Sequence, residues 1–312
     1  MGSSASAEVQ SGANNIDRGL SKGEQSFDTD EGLYPVSEPI EKTEGKWQTS
    51  GEIQYTGDIP FKQGELHAAF VLSSKANCDM VSCDPSDALA MPGVVNFVDA
   101  ADIPGINCWK PYGPNEEIFS SGKVNYAGQS IGLIIAETRE IAIEAARKVK
   151  ITYGNEGTVV VDIEKAMETA TNIVSGGPTL FYGDATGAIN GADHIIQGRF
   201  KMGSQYHFHM ETQTCIVTPM EDGFDIEIPS QDITSTQHQV AQVLNLDDNS
   251  INITVKRLGG AYGGKITLPI HIATAAAVAA NKMKRPVRLW MPLEDNMKMF
   301  GKRNPYLFDY KV

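Results

Sequence analysis

The chain has 312 residues and carries 26 Lys and Arg against 39 Asp and Glu, a formal net charge of -13. That excess repels phosphate backbones and anionic lipid, so neither nucleic acid nor a membrane is an expected partner. With 41% hydrophobic and 21% charged residues it has a core to bury, and it exceeds the roughly 250 to 300 residues at which single cores stop growing, so two domains are expected.

Residues 1–30 are small and polar, without an apolar period, and are expected to be a disordered tail or linker. They lack the basic start and apolar run of a signal peptide. The stretch 31–50, with Leu33-Tyr34-Pro35-Val36 and Glu38-Pro39-Ile40, reads as an extended, proline-stiffened linker. From Gly51 the texture turns to short β-rich runs: Glu65 to Ser73, Val94 to Val98 and Ser130 to Ala136. An apolar stripe of Ile141, Ala145 and Val149 predicts a helix over Arg139 to Lys150, followed by a strand to Tyr153. This first α+β domain is placed at 51–157.

The second domain is placed at 158–312. Asp162 is a plausible N-cap for a helix over Ile163 to Ala170. Strands follow around His194 to Phe208, Thr214 to Thr218 and, after the turn Glu221-Asp222-Gly223, Phe224 to Ile228. Val240, Val243 and Leu244 predict a helix over Thr234 to Leu244, and Asp247-Asp248-Asn249 turns the chain into a strand over Ile251 to Leu258. An alanine-rich helix is expected over Ile266 to Met283, with Pro269 tolerated in its first turn. Cys78, Cys83, Cys108 and Cys215 are scattered without a C-x-x-C pair, as for reduced, buried thiols in a cytoplasmic protein. No run reaches the ~18 apolar residues of a membrane-spanning helix.

The segment richest in chemical information is Lys256-Arg257-Leu258-Gly259-Gly260-Ala261-Tyr262-Gly263-Gly264-Lys265, between a β-branched strand and a long helix. So many glycines suit a backbone that bends sharply or lets a ligand approach, and bare N–H groups at a helix start seat anions. The spacing Gly259 to Lys265 matches most of a nucleotide-binding P-loop, but Ile266 stands where a magnesium-holding hydroxyl belongs, and Ala261 breaks the dinucleotide glycine pattern. A packing loop is the bland alternative. His207, His209 and Glu211 alternate along an expected strand and resemble a metal triad, but a structural strand is the favoured reading; Glu294 and Asp295 read as solvated charge in a polar turn.

The string KRLGGAYGGK resembles the cofactor-contacting loop of xanthine dehydrogenases and aldehyde oxidases. SGEIQYTGDIP, MPGVVNFVDAADIPG, SQYHFHMETQ, PSQDITSTQHQVAQVLNL, RPVRLWM and GKRNPYLFDYKV follow in family order, and QSFDTDEGLYPVSEPIEK is similar to the linker of insect aldehyde oxidases. The resemblance implies an α/β hammerhead domain followed by the first part of a molybdopterin-binding domain. It implies molybdenum-molybdopterin as cofactor, with Ala261, Tyr262 and Gly263 on the pterin, and 2Fe-2S and FAD domains on the same or other chains. Gln231 then corresponds to the glutamine whose amide hydrogen-bonds an oxygen ligand of the metal, with no protein atom bound to molybdenum itself. Ile266 stands where xanthine dehydrogenases carry a purine-holding glutamate, which favours aldehydes as small-molecule substrates. The family's general-base glutamate would lie beyond Val312, and the full-length form would be a homodimer. The alternatives are a truncated, non-catalytic scaffold or dimerisation module of the same family, purine hydroxylation, and P-loop nucleotide binding.

Overall fold

Ser130–Ala136 is an unbroken run of apolar and small residues, and such a strand belongs at the centre of a sheet covered on both faces. In the computed structural model every residue of it is buried. The structure describes residue 23 and residues 28–110, 116–169 and 182–312. The expected tail over 1–30 therefore lies, apart from residues 23 and 28–30, outside the described residues, and so does the expected helix end at Ala170.

Residues up to Ile53 cluster apart from Gln54–Val312. The expected linker over 31–50 is not uniformly extended: it holds a 3-10 turn at Glu31–Leu33, capped by the Asp30 side chain, and a short helix at Gly45–Ser50 that ends on Gly51 in the left-handed region.

In the larger unit the strands are β1 (Leu66–Leu72), β2 (Cys78–Asp84), β3 (Val94–Val98), β4 (Lys123–Val124), β5 (Ser130–Ala136), β6 (Lys150–Gly154), β7 (Gln197–Met202), β8 (Thr214–Pro219), β9 (Phe224–Glu227), β10 (Ile251–Thr254), β11 (Val287–Trp290) and β12 (Tyr306–Lys311). The principal helices are α1 (Arg139–Ala146), α2 (Ile233–Leu244), α3 (Leu268–Met283) and α4 (Leu293–Met299). One sheet of seven strands runs β10-β9-β8-β11-β1-β5-β3. Its β1/β11 and β9/β10 neighbours are parallel and the rest antiparallel. It takes β1, β3 and β5 from the first half of the chain and β8 to β11 from the second, joined where Leu66 faces Val287 and Ala68 faces Leu289.

Alternation along β5 feeds two cores. Leu133 and Ile135 point to the side covered by α2 and α3, and Ile134 and Ala136 to the side covered by Ala142 and Ala145 of α1, where Ile131 joins them across the register shift opposite Val71 and Leu72. From Pro269 to Ala280 every residue of α3 is buried, and its small side chains allow close backbone approach to α2 and β8. A buried ion pair reinforces the β1/β11 junction. The Arg288 guanidinium donates to Glu65 Oε1 at 2.5 Å and to the Ile59 carbonyl at 2.9 Å, with the Phe61 ring 4.8 Å away. A three-stranded sheet β4-β2-β6 and a ribbon β7-β12 complete the strands among the described residues. Among the described residues no helix is long and apolar enough to cross a membrane.

Several expected boundaries move. α1 ends at Ala146, not Lys150, because the chain turns there to pair Lys150 with Asp84. The strand expected over Ile251 to Leu258 ends at Thr254, where its partner β9 runs out. The expected strand over His194 to Phe208 shrinks to Gln197–Met202, the part that β12 covers. α3 starts at Leu268 rather than Ile266, since residues 264–267 are occupied by the turns that leave the glycine loop.

Candidate functional site

The glycine loop leaves β10 and enters α3, so its two ends are fixed by a sheet and a buried helix. Behind it lies the irregular segment 203–212. Close approach dictates two of the glycines: a Cβ on Gly259 would stand 2.5 Å from Glu211 Cβ, and one on Gly264 would stand 2.8 Å from the His207 ring. The loop is tied down by its ends. Glu211 N–H donates to the Gly259 carbonyl at 2.9 Å, Gly259 N–H donates back to Glu211 Oε2 at 2.9 Å, and Lys265 Nζ reaches the same oxygen at 2.8 Å.

The middle of the loop faces outward. Tyr262 (φ 54°) and Gly263 (φ 86°) lie in the left-handed region, and the Tyr262 side chain is 75% exposed. No heavy atom lies within 4 Å of a Cβ built on Gly263. Among the described residues, the N–H groups of Gly260, Ala261, Tyr262 and Gly263 donate to no protein acceptor. Successive main-chain amides without a protein acceptor are the kind of donors that an anion can use.

Gln231, which is exposed, sits on the loop's last residue: its N–H donates to the Lys265 carbonyl at 2.7 Å, and its Oε1 accepts from Lys265 N–H at 3.3 Å. Gln231 is thus joined through Lys265 to the loop that carries Ala261, Tyr262 and Gly263, and Ile266, the residue after Lys265, is 44% exposed. Beneath the loop, Gln213 Nε2 donates to the Gly264 carbonyl at 3.0 Å while its Oε1 is buried without a partner. A flat, anion-bearing cofactor fits this donor set on the side of Gly263, which is open, while the Tyr262 ring and His209 flank Gly260.

The expected strand and the expected polar turn are corrected, and the disfavoured P-loop alternative fails. His207, His209 and Glu211 do not alternate on a strand, since Phe208 (φ 47°) breaks the extended run. The His209 ring is buried, its Nδ1 lies 2.6 Å from the Glu211 carbonyl, and burial, then the neighbouring Lys265, holds its pKa below the usual histidine value. Among the described residues no group of three His, Cys, Asp or Glu is placed to hold a metal ion. The P-loop reading fails at Lys265, whose side chain is fully buried against Glu211 and turned away from the loop's open face. Glu294 and Asp295 lie in the first turn of α4, not in a polar turn. Glu294 pairs with Lys298 at 2.6 Å, and Asp295 is half-buried, so desolvation raises its pKa. Sequence reasoning missed Glu211 and Lys265 as a pair, for no local pattern joins charges that far apart.

Residues 50–157 match the family model described as aldehyde oxidase and xanthine dehydrogenase, a/b hammerhead domain, and residues 163–312 match that of the molybdopterin cofactor-binding domain. The chain belongs to the aldehyde oxidase and xanthine dehydrogenase family. Its fold is therefore the expected hammerhead domain followed by molybdopterin-binding domain. It is 40% identical over 269 residues to xanthine dehydrogenase of Emericella nidulans, a match covering 85% of this chain and 20% of that protein. It is 38% identical over 283 residues to aldehyde oxidase 3 of Mus musculus, covering 89% and 21%. Among solved structures, the aldehyde oxidoreductase from Desulfovibrio gigas superposes with a TM-score of 0.72 at 25% identity, covering 85% of this chain and 31% of that one. The chain spans about a fifth of the length of the curated relatives it matches.

Proposed function

We propose that this chain is the hammerhead and leading molybdopterin-binding part of a molybdenum-dependent oxidoreductase that converts aldehydes to carboxylic acids. The observation carrying the proposal is the row of unpaired amides at 260–263 beside Gln231. In this reading the main chain of Ala261, Tyr262 and Gly263 holds the pterin, and the Gln231 side chain, its Oε1 already engaged by Lys265 N–H, keeps its amide N–H₂ to donate toward the metal centre. When bound, the cofactor supplies a two-electron acceptor and a metal Lewis acid. Ile266 offers an apolar, half-open wall to a small carbonyl compound and no hydrogen bond to a purine.

The domain division at 51–157 and 158–312, the general-base glutamate beyond Val312, the 2Fe-2S and FAD electron carriers and a cytoplasmic homodimer are parts of the same proposal. Its test is the purified full polypeptide that contains this segment. Molybdenum and pterin are expected in it, with kcat/KM higher for aldehydes than for hypoxanthine, and Ile266→Glu is expected to narrow that preference. A protein without pterin overturns the reading, and a parent that prefers purines overturns the substrate class.

A further inference from the structure

We infer that Glu211 and Lys265 are a positioning pair, a buried clasp that holds the glycine loop with its amides turned outward and keeps Gln231 at its edge. One carboxylate oxygen, Glu211 Oε2, accepts from both ends of the loop: Gly259 N–H at 2.9 Å and Lys265 Nζ at 2.8 Å. The other, Oε1, accepts from Thr56 N–H at 3.2 Å, bringing in the segment that precedes β1. Lys265 passes the constraint on, since its own main chain makes both hydrogen bonds to Gln231.

Burial makes this arrangement demanding. The side chains are 0% and 7% exposed, so each charge depends on the other for compensation. Desolvation favours a neutral Lys265, and the nearby carboxylate works against it. An apolar pair would serve packing as well or better; it would not bond Gly259 N–H and so would release the first residue of a loop rich in flexible glycine. The ionic pair therefore has a task that stability alone does not require: it spans the loop and sets its curvature.

The effect on cofactor retention rests on the molybdopterin reading, whereas the effect on loop order does not. Two readouts separate them. Chymotrypsin cleavage after the exposed Tyr262, measured on cofactor-free full polypeptide, reports loop opening, and molybdenum and pterin content of the polypeptide from a cofactor-producing host reports retention. The variants are Glu211→Gln and the double change Glu211→Leu with Lys265→Met, which replaces the charges by apolar side chains. Cleavage is expected to quicken about tenfold or more in both, in proportion to the open population, and pterin content to fall about tenfold. The double variant is expected to lose some thermal stability, since Gly259 N–H and Thr56 N–H are left without their acceptor, but to remain folded, so that cleavage reports the loop and not global unfolding. Should the double variant fail to fold, Glu211→Gln decides. Unchanged cleavage with full pterin content overturns the clasp. Faster cleavage in variants of a parent that never holds pterin upholds the clasp and overturns the cofactor reading.

Discussion

Acidification should destabilise this fold through His271. The ring is 1% exposed and enclosed by aromatics, stacked on Trp109 at 4.9 Å with the edges of Phe70 and Phe300 at 5.7 and 6.4 Å. Its Nε2 lies 2.8 Å from the Ile118 carbonyl, which can only accept, so Nε2 carries the single proton of a neutral imidazole. Burial lowers the folded-state pKa from 6.5 to about 4, against a smaller opposing effect of the Ile118 hydrogen bond. Above pH 6.5 both folded and unfolded chains hold a neutral ring, and the histidine adds no pH dependence. As pH falls from 6.5 towards 4 the unfolded chain takes up the proton first, so stability declines across that window and levels below it. At about 1.4 kcal/mol per pH unit, the loss over the window is about 3 kcal/mol. Urea unfolding of the parent and of His271→Phe between about pH 7.5 and 4.5 measures it. At pH 7.5 the variant should be weaker by about 1–3 kcal/mol, because the Ile118 carbonyl is left unpaired. On acidification it should lose less than the parent, and the gap should close. Two curves that stay parallel would refute the reasoning.

The remaining expectations concern packing and the loop. Arg288→Met should cost about 3–5 kcal/mol in thermal or urea unfolding, since Glu65 keeps a buried charge without its partner; adding Glu65→Leu should restore most of the loss. Gly132→Ala should cost about 1–3 kcal/mol by calorimetry, because the new Cβ would stand 2.5 Å from the Val98 carbonyl and 2.7 Å from the Phe97 ring. Tyr262→Phe should shift the unfolding free energy by no more than about 0.5 kcal/mol and leave pterin content unchanged, as the exposed hydroxyl is not among the groups assigned to the cofactor.

Much of the fold could be read from periodicity. β5 stands out as an unbroken run of apolar or small residues, α3 as an alanine-rich run, and α2 by Val240, Val243 and Leu244 at helical spacing; that Asp232 caps α2 is seen only in the structure. Other elements hide. Cys78–Asp84 is half polar and holds its place through β6 on one side and β4 on the other, and β11 carries a buried arginine that no strand pattern anticipates. α4 looked like a charged turn because its burial comes from Asn296 and Met299 alone. At the site, the glycine spacing and the motif around Gln231 singled out two segments that the fold joins at Lys265.

From the residues themselves come the family, the order of its two domains, and a glycine bend next to a glutamine, because these depend on local spacing and on strings that stay intact when the chain is unfolded. Folding alone decided which charges face inward. Glu211 and Lys265, 54 positions apart, would each default to solvent; only when β10 and α3 bring the loop's ends together over residue 211 does a carboxylate gain two donors and a reason to be buried.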